Sequence, residues 1–518
     1  MLDLLITGAR VRTMDPALPE TDAIGVWRGR VLGVGDAVRG LPAATRVDLG
    51  GAWVVPAFID AHTHLAWAGL AMGTPSVAAC PDRATLFAVV AGAAAQRPAG
   101  EWVDVVGYDQ RRIGSHVTAA ELDAVADGRR VHLIHDSGHA CVVTSTVLDL
   151  LPGVPHRDGL LVESGAAAVR ELRQPYSLPE LVDALERASG QCLSEGVTAC
   201  AEAGVGGGLI KHSPIEAAAY LEAERQGRLG VRVGLMVAAD LLRASAAHPS
   251  DATPRAMDLG LRTGFGGERL SLGALKVFTD GGMMARTAAL TVPYADGSGS
   301  GELYADPEHL HAVIRDAHMA GWQLAVHAIG DRAVDVALDG FEKARAAAAR
   351  PWLRHRVEHA GLVRPDQLAR FADLGVAAVV QPAFLWSFGD DYARIMGEER
   401  AGWLYRGRSF LEAGVRLVGS SDRPVTVGAP LVAMRFMVDR RSSSGAVVGP
   451  AEGITPEQAL RAYTVDAAWA CGWEDTLGSI TPGKHADFTV LADDPLETFD
   501  TTVVSTVVSG EIVSGQHW

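Results

Sequence analysis

The middle of the chain alternates between short β-branched, apolar runs and longer stretches rich in Ala, Leu, Arg and Glu. This alternation constrains the fold more than any other feature, because strands that alternate regularly with helices are typical of a parallel α/β sheet. We count eight such runs, which begin at Val54, Val197, Val231, Ser271, Gln323, His355, Val376 and Val415. Eight parallel strands favour a closed (β/α)8 TIM-like barrel over a doubly wound sheet.

The two ends of the chain have a different texture, with short strand-like runs and no helical periodicity. Chain termini commonly lie close together, so residues 1–53 and 475–518 predict one small β-sandwich built from both ends. The barrel then occupies residues 54–474. Residues 66–190 do not fit the barrel repeat, and we interpret them as an insertion over the barrel mouth that shapes the substrate pocket.

Composition and charge argue against several classes of protein. The chain has 518 residues, of which 48% are hydrophobic, and its net charge of −16 offers no basic surface for nucleic acid. No apolar stretch approaches the roughly 18 residues of a membrane-spanning helix, and no signal peptide is evident. Five scattered cysteines predict free thiols in a reducing compartment. We therefore expect a cytoplasmic protein with a small-molecule substrate, no nucleic-acid or membrane partner, and a homodimer as the candidate assembly.

A His-Thr-His triplet, His62 to His64, closes the first apolar run. Residues two apart on a strand point to the same side, so both imidazoles would project from the carboxyl end of this strand. Taken alone, a His-X-His triplet also occurs by chance in proteins that bind no metal. Four more polar residues follow later runs at the same end, namely Lys276, His327, His359 and Asp422. In a barrel all six side chains would face the mouth, where barrel enzymes hold their active sites.

Six motifs, spread over nearly the whole chain, carry a family resemblance. They are VPAFIDAHTH (55–64), KVFTDGG (276–282), VHAIGDRA (326–333), RVEHA (356–360), GSSDRPV (419–425) and GSITPGKHAD (478–487). With these motifs the chain resembles the amidohydrolase superfamily. Within it, the chain is most similar to amidohydrolase family 3, the branch that includes N-substituted formamide deformylases.

The resemblance implies a site with two divalent metal ions. In the family, the two strand-1 histidines bind the more buried metal and the strand-5 and strand-6 histidines the more exposed one. A carboxylated strand-4 lysine bridges the metals, and the strand-8 aspartate binds metal and shuttles protons. The corresponding residues here are His62, His64, His327, His359, Lys276 and Asp422. An ammonium cannot coordinate a cation, whereas a carbamate offers one oxygen to each metal. Zinc suits the histidine-rich set.

The implied activity is hydrolysis of a non-peptide C–N bond, with an N-formyl or N-acyl amide as the expected substrate. Water between two divalent ions loses a proton near neutral pH, and Asp422 could pass that proton to the leaving nitrogen. Deaminase members use one metal and carry a Glu three residues after the strand-5 histidine. Here that residue is Gly330, followed by Asp331, which favours amide hydrolysis over deamination.

Two alternatives of different classes stay open at this point. One is an enzyme with another substrate, either a cyclic amide or lactone hydrolase or a heterocycle deaminase. The other is a catalytically idle, regulatory protein on the same scaffold. The intact set of six ligands argues against an idle scaffold, because loss of function should have eroded at least one of them.

The chain departs from the branch at positions that would contact substrate. Where the branch usually reads His-Ser-x-x-x-Asn, residues 139–144 read HACVVT, and Glu202-Ala203 stands where the branch often has His-Asp. The predicted substrate-binding residues are His139, Glu202, Arg286, Trp386 and Arg423. Trp67 and Tyr108 are further pocket candidates, although core packing is the simpler interpretation for aromatic residues. Arg286 could bind an acyl or carboxylate group.

Overall fold

The structure is a computed structural model that describes residues 1–135, 140–162, 164–210 and 212–516. Its chain divides into two compact units. The first consists of Met1–Leu65, Ala188–Lys211 and Tyr220–Trp518, and the second of Ala66–Arg187 and His212–Ala219.

Eight parallel strands of the first unit form a nearly closed barrel. In chain order, barrel strands 1 to 8 are Phe58–Thr63, Val197–Val205, Arg232–Ala238, Leu270–Phe278, Leu324–Ala328, Arg356–His359, Ala377–Val380 and Leu417–Gly419. Each strand pairs with the next one along the chain. Beyond strand 8, the Asp422 N–H donates to the His62 carbonyl at 2.8 Å, which brings the last strand against the first. The predicted α/β, TIM-like barrel is confirmed.

The first barrel strand starts at Phe58, and the expectation that it starts at Val54 is wrong. Trp53–Pro56 is a separate strand that pairs with Phe488–Leu491 in another sheet. Pro56 has no N–H to donate, and beyond it the chain passes from that sheet into the barrel. One continuous apolar run in the sequence therefore contributes a strand to each of two sheets.

Strands from both ends of the chain form two further sheets. One contains, in spatial order, Arg30–Val34, Ile24–Trp27, Leu2–Thr7 and Ala43–Asp48. The other contains Glu511–Gly515, Val503–Val508, Phe488–Leu491, Trp53–Pro56, Arg10–Arg12 and Glu20–Thr21. Residues of both sheets, including Leu4, Ile24, Val54, Phe488 and Val507, share one buried apolar core. The division into 1–53 plus 475–518 and 54–474 remains our proposal.

Helices follow most of the barrel strands, and a short one precedes the first of them. They are Asp36–Arg39, Leu65–Met72, Leu178–Ser194, Glu216–Arg225, Pro307–Met319, Asp331–Ala347, Pro365–Leu374, Ala383–Met396, Glu398–Ala401, Arg408–Glu412, Pro430–Asp439, Pro456–Ala462 and Val465–Cys471. Short 3-10 turns occupy Ala239–Leu241, Pro249–Asp251, Asp258–Gly260, Pro351–Leu353 and Pro450–Glu452, and Arg243–Ala244 pairs with Arg255–Ala256.

The sequence at the helix starts explains where several of these helices begin. Asp306 caps Pro307–Met319 by accepting the Glu308 N–H at 2.9 Å, and proline suits the first turn because its missing N–H would be unpaired there. Within the described ranges, no helix is both long enough and apolar enough to cross a membrane.

The second unit has its own sheet and its own core. Its strands, in spatial order, are Leu160–Val162, Ala140–Val143, Arg130–His135 and Trp102–Tyr108. Its helices are Arg83–Ala95, Gln110–Ile113, Ala119–Ala126, Ser145–Leu148 and Ser164–Arg173. Leu86, Val105, Leu122 and Leu133 lie in its buried cluster. The position expected for the 66–190 insertion, over the barrel mouth, stays a prediction.

All five cysteines lie within the described residues, and all five are free thiols. Cys192 and Cys200 come closest, with their sulfur atoms 3.9 Å apart, which is well beyond a disulfide bond. The expected absence of a disulfide framework agrees with this geometry.

Candidate metal centre

Two histidines and an aspartate converge at the carboxyl ends of barrel strands 1 and 8. The Nε2 atoms of His62 and His64 lie 3.6 and 3.0 Å from Oδ1 of Asp422. One ligand atom from each of the three residues falls within 4.8 Å of the others, and all three residues are buried. The His-X-His spacing thus places two nitrogens against one carboxylate, which is the start of a metal-binding set.

The other ring nitrogen of each of these histidines has an oxygen partner. Nδ1 of His62 contacts the Glu358 carboxylate, and Nδ1 of His64 lies 3.0 Å from the carbonyl oxygen of Ala203. A carbonyl or ionised carboxylate oxygen only accepts, so both Nδ1 atoms carry the proton. The Nε2 atoms therefore keep their lone pairs, and these face Asp422.

His359, at the end of barrel strand 6, is oriented in the same way. Its Nδ1 lies 2.7 Å from Oε1 of Gln381. The Gln381 amide nitrogen donates to the hydroxyl of Ser420 at 3.0 Å, and that hydroxyl donates to the Val380 carbonyl at 3.0 Å. This chain of bonds makes Gln381 Oε1 the acceptor, so His359 also presents an unprotonated Nε2.

His327, at the end of barrel strand 5, is held by the opposite nitrogen. Its Nε2 lies 3.3 Å from both the Gly281 carbonyl and Oδ1 of Asp280. Asp280 is itself fixed by the backbone N–H groups of Ile329 and Gly330, at 3.1 and 2.9 Å. Among the described residues, Nδ1 of His327 is buried without a hydrogen-bond partner. A buried ring nitrogen left in this way is available to a ligand.

Lys276, on barrel strand 4, carries the third kind of donor in the cluster. Its Nζ lies 3.3 Å from Nε2 of His62, and the residue is fully buried. Burial lowers the pKa of Lys276 from 10.5 to about 8, although the nearby carboxylates of Glu358 and Asp422 oppose this shift. The neutral amine is therefore easier to reach near neutral pH than that of an exposed lysine.

The electrostatics of the cluster favour neutral rings at His62 and His359 and an ionised Asp422. Burial lowers the pKa of His62 well below its usual value, and the Lys276 charge lowers it further. Burial alone would raise the pKa of Asp422, but the contact with His64 and the positive charge of Lys276 outweigh it, so this pKa is lowered. Neutral imidazoles and a carboxylate are the protonation states that bind metal.

The backbone is strained at two of these positions. His359 and Asp422 have φ angles of 70° and 55°, in the left-handed region, and so does Ala360 at 44°. Non-glycine residues in this region cost about 1–3 kcal/mol each and cluster at functional sites. The ends of barrel strands 6 and 8 therefore hold an unfavourable conformation at the two residues that turn their side chains into the cluster.

The six residues predicted from sequence form one connected cluster. The ring of His359 lies 5.0 Å from that of His62 and 4.4 Å from that of His327, and Lys276 and Asp422 lie against His62 as described above. Each histidine has one ring nitrogen directed away from its oxygen partner. The donor set therefore suits divalent metal ions.

Sequence analysis missed three residues that hold these ligands. Glu358, Asp280 and Gln381 are fully buried and contact His62, His327 and His359 respectively. Glu358 and Asp280 lie within the family motifs. A charged residue in a buried strand, or shortly after one, could have indicated that these two side chains hold a ligand. No local signal pointed to Gln381, whose partner lies on the neighbouring strand.

The predicted substrate residues in and next to the barrel strands are engaged by the protein itself. Glu202 is buried in barrel strand 2 and accepts the N–H of Leu65, the residue after His64. Arg423 is buried and donates to Glu195 at 2.7 Å, with Asp60 3.6 Å from its Nε. These contacts brace the chain on either side of the ligands.

The remaining candidates differ in their surroundings. Arg286 bonds to Asp296 and Asp391, both at 3.1 Å, so its guanidinium joins the loop that contains Asp296 to the helix Ala383–Met396. Trp386 is 39% exposed and stacks on Phe436 with ring centroids 5.8 Å apart. His139 lies outside the described residues. The substrate-binding role of these residues stays a prediction.

The two aromatic pocket candidates belong to the second unit. Tyr108 is buried, and its hydroxyl accepts the Val117 N–H and bonds to Nδ1 of His116 at 3.0 and 2.9 Å. This agrees with a core role for Tyr108. Trp67 is 40% exposed, which leaves it accessible to a ligand.

An eight-stranded α/β barrel with a histidine, lysine and aspartate cluster at the carboxyl ends of its strands defines a barrel hydrolase of the metal-dependent class. The sequence profile of the amidohydrolase family, of the family-3 type, matches residues 45–514. The chain belongs to the amidohydrolase family.

Three relatives illustrate the similarity. The chain is 30% identical to the Arabidopsis thaliana protein LONG AFTER FAR-RED 3, covering 98% of this chain and 90% of the relative. It is also 30% identical to an N-substituted formamide deformylase from Arthrobacter pascens, covering 96% and 94%. Among solved structures, an uncharacterized metal-dependent hydrolase from Pyrococcus furiosus superposes with a TM-score of 0.80 at 31% identity, covering 95% and 99%. The protein is a metal-dependent amidohydrolase.

Proposed function

We propose that this protein hydrolyses an N-formyl or N-acyl amide with the help of two divalent metal ions, of which zinc suits the donors best. The observation that carries the proposal is the connected cluster of six predicted ligands. They are His62, His64, Lys276, His327, His359 and Asp422. The formamide deformylase relative, similar over nearly the whole chain, supports the choice of acyl group.

Carboxylated Lys276 is part of the proposal because of where its amine lies. An ammonium cannot bind a cation, yet Nζ lies 3.3 Å from a histidine nitrogen that faces Asp422. The neutral amine adds to the carbon of CO2, and one proton leaves the nitrogen to solvent. The carbamate product is an anion whose two oxygens could each bind one metal. Arginine could not replace it, since guanidinium is not deprotonated in proteins.

Asp422 is the residue that we propose to move the proton. When bound, the metal ions polarise the amide carbonyl and lower the pKa of water at the site. Asp422 lies against the Nε2 atoms of His62 and His64, so its carboxylate faces the place where that water would bind. It accepts the proton of the attacking water and returns it to the leaving nitrogen, which departs as a neutral amine.

The backbone at Gly330 argues against deamination. A Cβ at this position would lie 1.9 Å from the Ala289 carbonyl oxygen, so no side chain fits there without rearrangement. The glutamate found three residues after the strand-5 histidine in deaminases could not occupy this backbone. Asp331 does not substitute for it, because its carboxylate bonds to Thr291 and lies 3.2 Å from Arg364.

Assay of the purified protein on a panel of N-formyl and N-acyl amines tests the proposal. We expect release of formate or another carboxylate, loss of activity after chelation, and recovery on adding back Zn2+. Ammonia release from an aminated heterocycle would replace the proposal with deamination. Ring opening of a cyclic amide or lactone would replace it with a cyclic amide or lactone hydrolase. Full metal occupancy without turnover of any compound would favour an idle scaffold. The cytoplasmic location and the homodimer stay predictions.

A further inference from the structure

We propose that Glu358, paired with Arg356, is a positioning residue that holds His62 with its Nε2 lone pair turned into the metal site. This inference rests on the proposed metal site and concerns how the protein prepares one ligand of it. None of the sequence motifs or relatives assigns a role to either residue of the pair.

The pair is a two-point ion pair buried in the barrel. Arg356 Nε lies 2.5 Å from Oε1 of Glu358, and Nη2 lies 3.0 Å from Oε2. Oε2 is also the atom that contacts Nδ1 of His62. Arg356 Nη2 donates in addition to the carbonyl oxygen of Ala61, the residue before His62. Arg356 therefore fixes Glu358 directly and fixes the backbone beside His62.

The contact crosses the barrel interior. Arg356 and Glu358 are two residues apart on barrel strand 6, so their side chains lie on the same face of the strand. His62 is on barrel strand 1, which is separated from strand 6 by strands 7 and 8. Barrel interiors are normally filled by branched apolar side chains. Replacing a buried ion pair by apolar residues is often neutral or stabilising, so stability alone does not explain this pair.

The bond to Glu358 sets which nitrogen of His62 binds metal. A carboxylate paired with guanidinium only accepts, so the ring proton stays on Nδ1 and the lone pair on Nε2. Nε2 then faces Nζ of Lys276 at 3.3 Å and Asp422 at 3.6 Å. A carboxylate on the far nitrogen also makes a ligating imidazole more basic.

His62 differs in this respect from the two other histidines that bind through Nε2. His64 donates to a backbone carbonyl and His359 to a side-chain amide, both of which are neutral acceptors. Of these three, only His62 has a carboxylate as the partner of its Nδ1. We therefore expect the loss of Glu358 to weaken binding of the metal that His62 would hold. The partner of Nδ1 would then be neutral and could not supply the negative charge of the carboxylate.

The test compares Glu358→Gln with a matched control, Glu452→Gln. Glu452 pairs with Arg406 at 2.5 Å, and both of these side chains are also buried. Its other bonds come from Ser409 and from the N–H of Gly407, none of which is a metal ligand. Competition with a chelator measures the affinity of each metal-free protein for Zn2+. We expect Glu358→Gln to weaken the tighter Zn2+ site about 10- to 100-fold, and Glu452→Gln to leave it unchanged despite the loss of a buried ion pair.

A second measurement keeps the inference testable if Glu358→Gln does not fold. In the wild-type protein, the bond from Nδ1 of His62 to a carboxylate should give a deshielded imidazole N–H signal in the proton NMR spectrum. The signal should persist in Glu452→Gln and disappear in His62→Asn. Glu358→Asp keeps the carboxylate, so it should retain part of the signal and part of the affinity for Zn2+ that Glu358→Gln loses.

The outcomes separate the two proposals. Wild-type affinity for Zn2+ in Glu358→Gln, or no deshielded signal in the wild type, overturns the positioning role and leaves the metal site intact. Equal weakening in Glu452→Gln also overturns it, because the effect would then come from any lost ion pair. A wild-type protein that binds no divalent ion at all overturns the proposed function instead.

Discussion

Replacing Lys276 by methionine should stabilise the metal-free protein while abolishing its activity. Lys276 is fully buried, and burial lowers its pKa from 10.5 to about 8. One pKa unit corresponds to about 1.4 kcal/mol, so holding the ammonium in the folded chain costs about 3 kcal/mol at neutral pH. The lowered pKa already includes the attraction of Glu358 and Asp422. Methionine has a similar shape and no charge, and it removes this cost.

The size of this gain should depend on pH in a defined window. Below pH 8 the amine is charged in both the folded and the unfolded chain, so the full cost is present in the wild type. Between pH 8 and 10.5 only the unfolded chain keeps the proton, and the free energy of unfolding of the wild type rises with pH. Above pH 10.5 the amine is neutral in both states, so the advantage of Lys276→Met should vanish.

Chemical denaturation of both proteins after chelation, at pH 7 and pH 10.5, measures the free energies of unfolding. The same preparations, reloaded with Zn2+, report hydrolysis and metal occupancy. We expect a more stable variant at pH 7, equal stabilities at the higher pH, and neither paired metals nor turnover. Lys276→Arg is the control that keeps a cation but cannot form a carbamate. A variant that is less stable at pH 7, or that retains two metals and activity, would refute the reasoning.

Two further predictions concern one catalytic and one structural residue. Asp422→Asn should lower the hydrolysis rate by about 10²–10⁴-fold, since an amide cannot take a proton from water; a rate near wild type with full metal occupancy would contradict the proton role. His355, whose pKa burial lowers from 6.5 to about 3, stays neutral in the folded chain while the unfolded chain takes up a proton. The free energy of unfolding should therefore fall below pH 6.5, by up to about 2 kcal/mol at pH 5. His355→Gln should show a correspondingly smaller loss between pH 7 and pH 5 in denaturant titrations, and an equal loss would contradict the assignment.

The barrel was predictable because its signal is local and repeated. Short apolar runs alternate with helical stretches, and seven of the eight runs coincide with the barrel strands. The run from Val54 was misassigned because apolar residues fill the cores of both sheets alike. Only pairing with Phe488–Leu491, far along the chain, shows that Trp53–Pro56 belongs elsewhere.

The choice of substrate residues was less predictable than the choice of ligands. Arg423 and Arg286 were predicted to bind substrate, but each donates hydrogen bonds to carboxylates of the protein. Two of those carboxylates, Glu195 and Asp391, come from segments distant in sequence, and no pattern around an arginine reveals whether an acidic partner will reach it. An arginine in a loop has the same appearance in a sequence whether it binds substrate or braces the fold.

The sequence by itself determined the strand order, the ends of the strands and the six donors placed there, because strand period and motif spacing are properties of contiguous residues. The tertiary structure decided how those donors are held. Glu358 reaches His62 across the barrel, and Gln381 and Asp280 fix His359 and His327. The bond between Glu358 and His62 depends on closing the barrel, which brings side chains 296 residues apart within hydrogen-bond distance, and the other two depend on the pairing of adjacent strands. A histidine in a sequence is thus only a potential ligand, and its neighbours in space decide which nitrogen it offers.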